Sequence, residues 1–162
     1  MNETIRQYRI SDRASMIKCM EGLQDYLISI DEMRRERRMP GYGESYTERL
    51  LMRIRREDGI AYVAEDQGRI IGLIAGVILR QSKEDLLECV PSKDGRILEL
   101  FVDPQHRGRE VGRMLMEKIE RYFVEKKCDA VHVEVFAPNL DARAFYRRVG
   151  YGDRVVDMMK KP

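Results

Sequence analysis

The sequence is poor in the residues that build metal centres and disulfide frameworks. Its 162 residues include three cysteines, two histidines and no tryptophan. Cys19, Cys89 and Cys128 lie far apart without a Cys-x-x-Cys pair, and His106 and His132 show no ligand spacing. Structural zinc modules and small disulfide scaffolds depend on such spacings. We therefore expect neither a metal ion nor a disulfide framework in this protein.

Long apolar runs and a strong excess of one charge are missing as well. No stretch approaches the roughly 18 apolar residues of a membrane span, and the polar start Met1–Thr4 lacks the apolar core of a secretion signal. Thirty basic against 28 acidic residues leave a formal net charge of +2, whereas nucleic-acid-binding proteins concentrate basic residues. These absences predict a cytoplasmic protein without a membrane or nucleic-acid partner.

The chain is long enough to bury one core, with 43% apolar and 36% charged residues. It contains no repeat, low-complexity tract or linker, so we expect residues 1–162 to form a single domain. Apolar periodicity predicts an order β-α-α-β-β-β-α-β-α-β, which is typical of an α/β domain around a mixed sheet. The predicted strands are 4–10, 60–64, 69–79, 96–102, 130–136 and 154–159; the predicted helices are 12–30, 45–57, 109–127 and 141–149.

The first predicted helix illustrates how the helices were assigned. Ser11 or Asp12 can cap it, and apolar residues follow at three-to-four spacing. We expect its buried stripe to consist of Ala14, Ile17, Met20, Leu23, Leu27 and Ile30.

The clearest functional pattern lies between residues 97 and 112. An apolar strand ends at Val102 and runs through a proline into a basic, glycine-containing turn and then a long amphipathic helix. The first N–H groups of a helix have no intrahelical partner and attract anions, while arginines add charge and glycines allow close approach. The pattern indicates a phosphate cradle, or else a strand-to-helix turn with purely steric glycines. The turn consists of Arg107, Gly108, Arg109, Glu110, Val111 and Gly112.

A second pattern occupies residues 139–151. Apolar residues at helical spacing before a glycine predict a helix with one buried face and a C-terminal stop. On spacing alone, Tyr146 is interpreted either as a core residue or as a catalytic phenol. The stripe consists of Ala142, Phe145, Tyr146 and Val149.

Together and in this order, the two patterns resemble the GNAT superfamily of acetyl-CoA-dependent N-acetyltransferases. The family's acyl-CoA motif is Gln/Arg-x-x-Gly-x-Gly/Ala after a strand ending in Val-x-Pro, and this chain has Val102-Asp103-Pro104 followed by Arg107 to Gly112. The resemblance covers about residues 60–160. The family's later motif, Asn-x-x-Ala-x-x-x-Tyr-x-x-x-Gly-Phe, is met by Asn139, Ala142, Tyr146, Gly150 and Tyr151.

Glu110 departs from the family motif, because it stands where the motif has its first glycine. The backbone N–H survives this change, so the cradle can still form. A carboxylate beside a pyrophosphate is unfavourable, however, since like charges repel. We expect the Glu110 side chain to point outward or to pair with an arginine, and its charge to oppose CoA binding.

The resemblance implies a mostly antiparallel sheet flanked by helices, in which strand 97–102 splays away from strand 130–136. The pantetheine arm of acetyl-CoA is expected to lie between them and to bond the backbone near Phe101 and Val102. The pyrophosphate is expected on the N–H groups of residues 107–112, which makes all six residues of this turn candidates for cofactor binding.

The resemblance also implies roles for Asn139 and Tyr146. Asn139 is expected to hold the cofactor or its arm, and the Tyr146 hydroxyl to meet the thioester sulfur. A leaving thiolate, with a pKa of about 8.5, gains from such a proton donor. The Val102 N–H is the candidate donor to the oxyanion.

The general base is less clearly marked. Glu99 shares a face with Ile97 and Phe101 by the two-residue period of a strand, and apolar neighbours raise the pKa of a carboxyl so that it can accept a proton. The alternative is a solvated strand residue. Glu134 on the neighbouring strand is a weaker candidate.

The acceptor side is expected at Met33–Tyr46, where the resemblance places the segment that borders the acceptor pocket. Met39, Tyr42 and Tyr46 are its candidate lining residues. A small metabolite, an amine-bearing antibiotic and a protein amino group all stay open as acceptors. The basic run 34–38 is interpreted either as a solvated helix end or as a contact for an acidic partner.

Two further alternatives concern the reaction and the assembly. Cys89 or Cys128 can in principle carry an acyl group, but neither has a motif-placed base, so direct attack in a ternary complex is preferred. A relative of the same fold that binds acyl-CoA without turnover, as a sensor or interaction module, is the alternative function. A homodimer through the last strand is also possible for such a chain.

Overall fold

The computed structural model describes residues 3–161. The strands of this part of the chain form one sheet in the order β1-β2-β3-β4-β5. Neighbouring strands are antiparallel, except that β4 and β5 run parallel. The predicted mixed, mostly antiparallel sheet is confirmed. Its strands are β1 (Thr4–Gln7), β2 (Ile60–Asp66), β3 (Arg69–Leu79), β4 (Asp94–Val102) and β5 (Ala130–Val133).

Helices cover both faces of the sheet. The first two pack against one face, and the fourth and fifth contribute to the core of the other. Within residues 3–161, no helix combines the length and the apolar character that crossing a membrane requires. The helices are α1 (Arg13–Ile30), α2 (Tyr42–Arg56), α3 (Asp85–Glu88), α4 (Val111–Glu125) and α5 (Leu140–Arg148).

Helix α4 buries the face that its apolar periodicity predicts, which carries Val111, Leu115, Ile119, Tyr122 and Phe123. Each large apolar side chain on that face contributes roughly 1.5–3 kcal/mol through burial. The sheet accommodates the helix with small residues, since a Cβ atom on Gly95 would lie 2.6 Å from the Phe123 ring. The fully buried side chains of α4 include Val111, Leu115, Ile119 and Phe123.

Helix α1 turns a different stripe to the sheet from the one predicted. Of the predicted residues only Met20 is fully buried, and Ala14 is exposed. The helix carries two overlapping apolar stripes, and Ile17 of the predicted one faces α2, where a Cβ atom on Gly43 would lie 2.8 Å from it. Met16, Cys19 and Met20 pack against the sheet instead, and Gln24 is the remaining buried residue of the helix.

The predicted strand 154–159 is wrong, because residues 149–161 contain no strand. Their apolar residues come in adjacent pairs and so cannot all lie on one face of a strand. Arg143 and Arg147 on α5 hold Asp153 at 3.2 and 2.6 Å, which fixes the path of the chain as it leaves the helix. A homodimer stays a prediction. The exposed pairs are Val155 with Val156 and Met158 with Met159.

Candidate active site

Strands β4 and β5 part from one another after four residue pairs. Their pairing runs only from Asp94 with Ala130 to Ile97 with Val133. The chain then leaves the sheet, so the predicted strand 130–136 is shorter than expected. The splayed strand pair implied by the resemblance is therefore present, and we call the opening beside residues 98–102 the gap.

Backbone groups of β4 point into the gap. In an antiparallel ladder, every second residue turns its N–H and C=O toward the partner strand. The Asp103 N–H donates to β3 at 2.8 Å, so the groups of Phe101 point to β3, and those of Leu100 and Val102 point into the gap. The Arg107 Nε–H accordingly reaches the Val102 carbonyl at 3.2 Å. Of the predicted pair, Val102 therefore offers its backbone groups to the gap together with Leu100, whereas those of Phe101 are paired with β3.

A bulge in β4 sets the direction of Glu99. Consecutive residues of β3 pair with Glu99 and Ile97, which leaves Leu98 without a partner. The extra residue breaks the two-residue period, so Ile97 packs on the α4 side while Leu98 and Phe101 pack on the α1–α2 side. The prediction that Glu99 shares a face with Ile97 is wrong for this reason, whereas the shared face with Phe101 is confirmed. Glu99 instead meets Tyr46 of α2.

Glu99 is a largely buried carboxyl with a single polar contact in residues 3–161. The Tyr46 hydroxyl donates a hydrogen bond to its Oε1. Burial raises the pKa of Glu99 to about 7, against the opposing effect of the Tyr46 hydrogen bond. A carboxyl poised near neutral pH is suited to act as a general base. Glu134, by contrast, is exposed and pairs with Arg96 at 2.5 Å.

The raised pKa of Glu99 also predicts a pH-dependent stability. A native pKa of about 7 above the ordinary 4.5 means that stability is lost as the pH rises from about 4.5 to about 7, because the unfolded carboxyl ionises over this range while the native one still holds its proton. Glu99→Gln, which is neutral throughout, should therefore stabilise the fold by about 3 kcal/mol at pH 8. At pH 4.5 it should change little. Thermal unfolding at the two pH values measures this difference, and equal shifts would contradict it.

Tyr146 of α5 is both a core residue and a site residue. It is 9% exposed and makes edge contacts with Phe145 and Tyr151 at centroid distances of 5.5 and 5.9 Å. Burial, followed by the charge of Glu99, raises the pKa of its hydroxyl to about 12. The phenol is therefore protonated at neutral pH. Tyr146 belongs to the α4 side and Glu99 to the α1–α2 side, yet the charge of Glu99 acts on the Tyr146 hydroxyl, since β4 and β5 no longer pair beyond Ile97.

The turn 107–112 has the backbone of an anion cradle. Gly108 and Glu110 both adopt the left-handed conformation, with φ of 74° and 65°. Helix α4 begins at Val111 without a side-chain cap. Its first i to i−4 hydrogen bond runs from the Met114 N–H to the Glu110 carbonyl at 2.9 Å. The N–H groups of the preceding helical residues are consequently open to an anion.

The conformation of Glu110 explains why the family motif has a glycine there. A left-handed φ costs a residue with a Cβ atom roughly 1–2 kcal/mol, and glycine avoids this cost. As expected, the side chain is exposed and lies 3.4 Å from Arg113, which also meets Glu117 at 3.1 Å. The Glu110 carboxylate therefore neutralises part of the positive charge that Arg113 brings to the cradle.

Glu110→Gly should bind acetyl-CoA roughly three- to tenfold more tightly and unfold at a higher temperature. The first effect comes from the removed charge and the second from the relieved backbone. Calorimetric titration and thermal unfolding measure them separately. Glu110→Ala is the matched control, since it should gain affinity without the gain in stability. Weaker binding by both variants would contradict this account of the cradle.

The other predicted cofactor residues flank the gap and the cradle. Asn139 caps α5, because its Oδ1 accepts the Ala142 N–H at 3.1 Å, and its amide N–H groups have no hydrogen-bond partner among residues 3–161. Arg107 lies over the Tyr26 ring at 5.1 Å and so connects the cradle with α1. Arg109 is exposed on the same turn. Their roles in cofactor binding stay predictions.

The segment between α1 and α2 is fixed by a buried carboxylate that sequence patterns did not reveal. Asp31 accepts the backbone N–H groups of Met33 at 3.0 Å and Glu36 at 2.8 Å. These hydrogen bonds hold the pKa of Asp31 below its ordinary value. Arg38 pairs with Asp25 at 2.6 Å, so the basic run is partly neutralised on α1. We call residues 31–41 the acceptor loop, after the predicted acceptor segment Met33–Tyr46 that it overlaps.

Two predicted acceptor residues lie together on α2. The rings of Tyr42 and Tyr46 stack with centroids 5.3 Å apart. Arg49 lies over the Tyr46 ring at 5.5 Å, and Met39 is exposed beside the helix start. The aromatic pair therefore connects the acceptor loop with Glu99.

Known proteins support the resemblance seen in the sequence. The profile of the acetyltransferase (GNAT) family matches residues 27–151. A relative from Methanocaldococcus jannaschii, described as an uncharacterized N-acetyltransferase, is 34% identical over 94 residues, which are 57% of this chain and 53% of that protein. The chain spans about half the length of the curated relatives it matches.

Solved structures share the fold at low sequence identity. A mutant protein from Bacillus halodurans superposes with a TM-score of 0.83 and 21% identity, over 98% of both chains. AAC(6')-Iy in complex with the bisubstrate analog CoA-S-monomethyl-acetylneamine superposes with a TM-score of 0.72 and 18% identity, over 100% of both chains. Both likenesses concern the fold.

Proposed function

Because the chain belongs to the acetyltransferase (GNAT) family, whose profile it matches over residues 27–151, we propose that it transfers an acetyl group from acetyl-CoA to a primary amine. The observation that carries this proposal is the gap, beside which Glu99 and Tyr146 lie on opposite sides of the sheet and close enough for the charge of Glu99 to act on the Tyr146 hydroxyl. We further propose that residues 1–162 act as one N-acetyltransferase domain.

The donor is proposed to lie along the gap with its pyrophosphate on the cradle. The GNAT fold binds acyl-CoA, and the free backbone groups of Leu100 and Val102 suit the amides of a pantetheine arm. The uncapped start of α4 and the left-handed Gly108 and Glu110 suit a pyrophosphate. We propose acetyl-CoA as the donor.

Glu99 is proposed to activate the acceptor. An amine with a pKa of about 10 is an ammonium at pH 7 and has no free electron pair. The Glu99 carboxylate takes one ammonium proton, directly or through water. The nitrogen electron pair then forms a bond to the thioester carbonyl carbon. The Val102 N–H, which points into the gap, donates to the oxyanion that develops.

Tyr146 is proposed to assist the leaving thiolate. As the carbon–sulfur bond breaks, the sulfur takes the proton of the Tyr146 hydroxyl, and the second proton lost by the nitrogen restores that hydroxyl. A hydroxyl with a pKa of about 12 is protonated throughout the neutral range. The products are the acetylated amine and the free thiol of CoA.

Direct transfer fits the cysteines better than an acyl-enzyme. Cys89 is exposed in the connection between β3 and β4. Cys128 precedes β5, and burial raises the pKa of its thiol, which disfavours the nucleophilic thiolate. We therefore propose attack by the amine in a ternary complex.

The proposed activity is tested with a panel of acceptors and donors. Polyamines, amino acids, aminoglycosides and N-terminal peptides are each mixed with acetyl-CoA and with longer acyl-CoA donors. Mass spectrometry then measures the masses of the products. We expect one acceptor class to gain one acetyl group, and longer acyl chains to react more slowly.

A failed panel has two distinguishable meanings. Calorimetric binding of acetyl-CoA without any acylated product would favour a non-catalytic acyl-CoA sensor, for which the charge of Glu110 at the cradle is the supporting observation. Absence of both binding and product would contradict the proposed cradle itself.

A further inference from the structure

A continuous set of contacts runs from the acceptor loop to Glu99. The Gln24 Nε2–H donates to Glu36 of the loop at 2.9 Å, and the Tyr42 hydroxyl donates to the Gln24 Oε1 at 3.1 Å. The Tyr42 ring stacks on the Tyr46 ring at 5.3 Å. The Tyr46 hydroxyl then donates to the Glu99 carboxyl. Residues far apart in sequence thus meet in one row.

We propose that Tyr46 is the positioning residue of the Glu99 base and holds its carboxylate for proton transfer at the gap. This inference rests on the proposed function, because it presupposes that Glu99 deprotonates the acceptor. Tyr46 does not react itself. It connects the base with the loop that borders the acceptor, so that the same stacked pair forms the acceptor wall and orients the base.

The geometry supports this role in two ways. The bulge at Leu98 turns Glu99 toward α2, where the Tyr46 hydroxyl is its hydrogen-bond partner within residues 3–161. A donor beside a carboxylate favours the ionised form, whereas burial disfavours it. Tyr46 therefore favours the ionised form of a largely buried carboxyl, the form that a base requires.

The other titratable groups around Glu99 are neutral near pH 7, and Arg49 is separated from its carboxyl by the Tyr46 ring. Burial raises the pKa of Tyr42 on α2 and of Tyr146 on α5 to about 12. The negative charge of Glu99 adds to the rise at both hydroxyls. Arg49 faces the Tyr46 ring. β3 pairs Ala75 with Glu99 and brings no charge there. Near neutral pH, Glu99 is thus the group of this set that titrates.

Tyr46→Phe should displace the acidic limb of the kcat/KM profile to higher pH. Loss of a hydrogen bond to a charged group raises the pKa of Glu99, and we expect the limb to move from near 7 upward by about one to two pH units. Turnover should fall about tenfold or more at pH 6.5 and recover at alkaline pH. The KM for acetyl-CoA should stay unchanged.

Tyr8→Phe is the matched control for the loss of a hydroxyl. Tyr8 packs on the same side of the sheet, and its hydroxyl has no hydrogen-bond partner within residues 3–161. Tyr8→Phe should leave the acidic limb in place. A limb that moves equally in both variants, or a uniform loss of rate at every pH in Tyr46→Phe, would overturn the proposal.

A direct titration separates this proposal from the proposed activity. Carbon-13 labelling of the glutamate carboxyls reports the pKa of Glu99 by NMR, with Glu99→Gln identifying its signal. A rise in this pKa in Tyr46→Phe, together with a displaced kinetic limb, supports the proposal. An unchanged pKa overturns it. A raised pKa without a displaced limb also overturns it, since Glu99 is then not the base. If wild type transfers no acetyl group, the activity fails, while the titration still tests the contact.

Discussion

Glu99→Gln should lower kcat by about 100-fold or more, with the dissociation constant of acetyl-CoA within about twofold of wild type. The glutamine cannot accept a proton, so the acceptor stays an ammonium ion at neutral pH. Its amide oxygen can still accept the Tyr46 hydrogen bond, which preserves the local packing. Steady-state rates with a fixed amine and calorimetric titration of acetyl-CoA measure the two effects.

Glu134→Gln is the matched control for Glu99→Gln. Both substitutions exchange a carboxylate for an amide beside the parting strands, but Glu134 is exposed and pairs with Arg96. It should leave kcat unchanged. A Glu99→Gln rate within about threefold of wild type across the pH range would exclude Glu99 as the base.

Tyr146→Phe should lower kcat by about 10- to 100-fold and leave acetyl-CoA affinity nearly unchanged. The change removes only the hydroxyl, so the edge contacts of the ring with Phe145 and Tyr151 persist. The leaving thiolate then departs without a proton donor. Single-turnover rates, which report the chemical step, are the appropriate measurement.

Tyr122→Phe is the control for Tyr146→Phe. It deletes another hydroxyl on the same side of the sheet, one that donates to the Asp58 carbonyl at 2.6 Å. It should affect stability more than the rate. Unchanged single-turnover rates in Tyr146→Phe would remove Tyr146 from the acid role.

Local signals in the sequence predicted much of the fold. The apolar periodicity of α4 identifies its buried face, and the predicted strands 60–64 and 69–79 correspond to β2 and β3. The order of a strand, a basic turn and a helix predicted a cradle at 107–112. These features depend on residues close in sequence, so short-range patterns reveal them.

Features that depend on contacts between residues far apart in sequence could not be predicted from the sequence. The bulge at Leu98 arises from the register between β3 and β4, and it reversed the expected face of Ile97 relative to Glu99. The hydrogen bond from Tyr46 to Glu99 joins residues 53 positions apart. Nothing in the spacing of Gln24 indicated that its buried amide links two elements.

Helix α1 and the segment 154–159 also show that local patterns alone do not decide how a segment packs. Helix α1 has two apolar stripes, and only packing against α2 and the sheet decides between them. The segment 154–159 has apolar residues that favour a strand, yet no neighbouring strand pairs with it within residues 3–161. A strand requires a partner as well as a propensity.

The most direct test of the account measures CoA thiol and acetylated amine in the same reaction, with and without the amine. The proposed direct transfer predicts one thiol released for each acetylated amine and essentially no release without an acceptor. Tight binding of acetyl-CoA with no amine-dependent release across the whole panel would contradict it and identify the chain as a binding module. Thiol release without amine, matched by acetylation of the protein itself, would contradict the ternary complex.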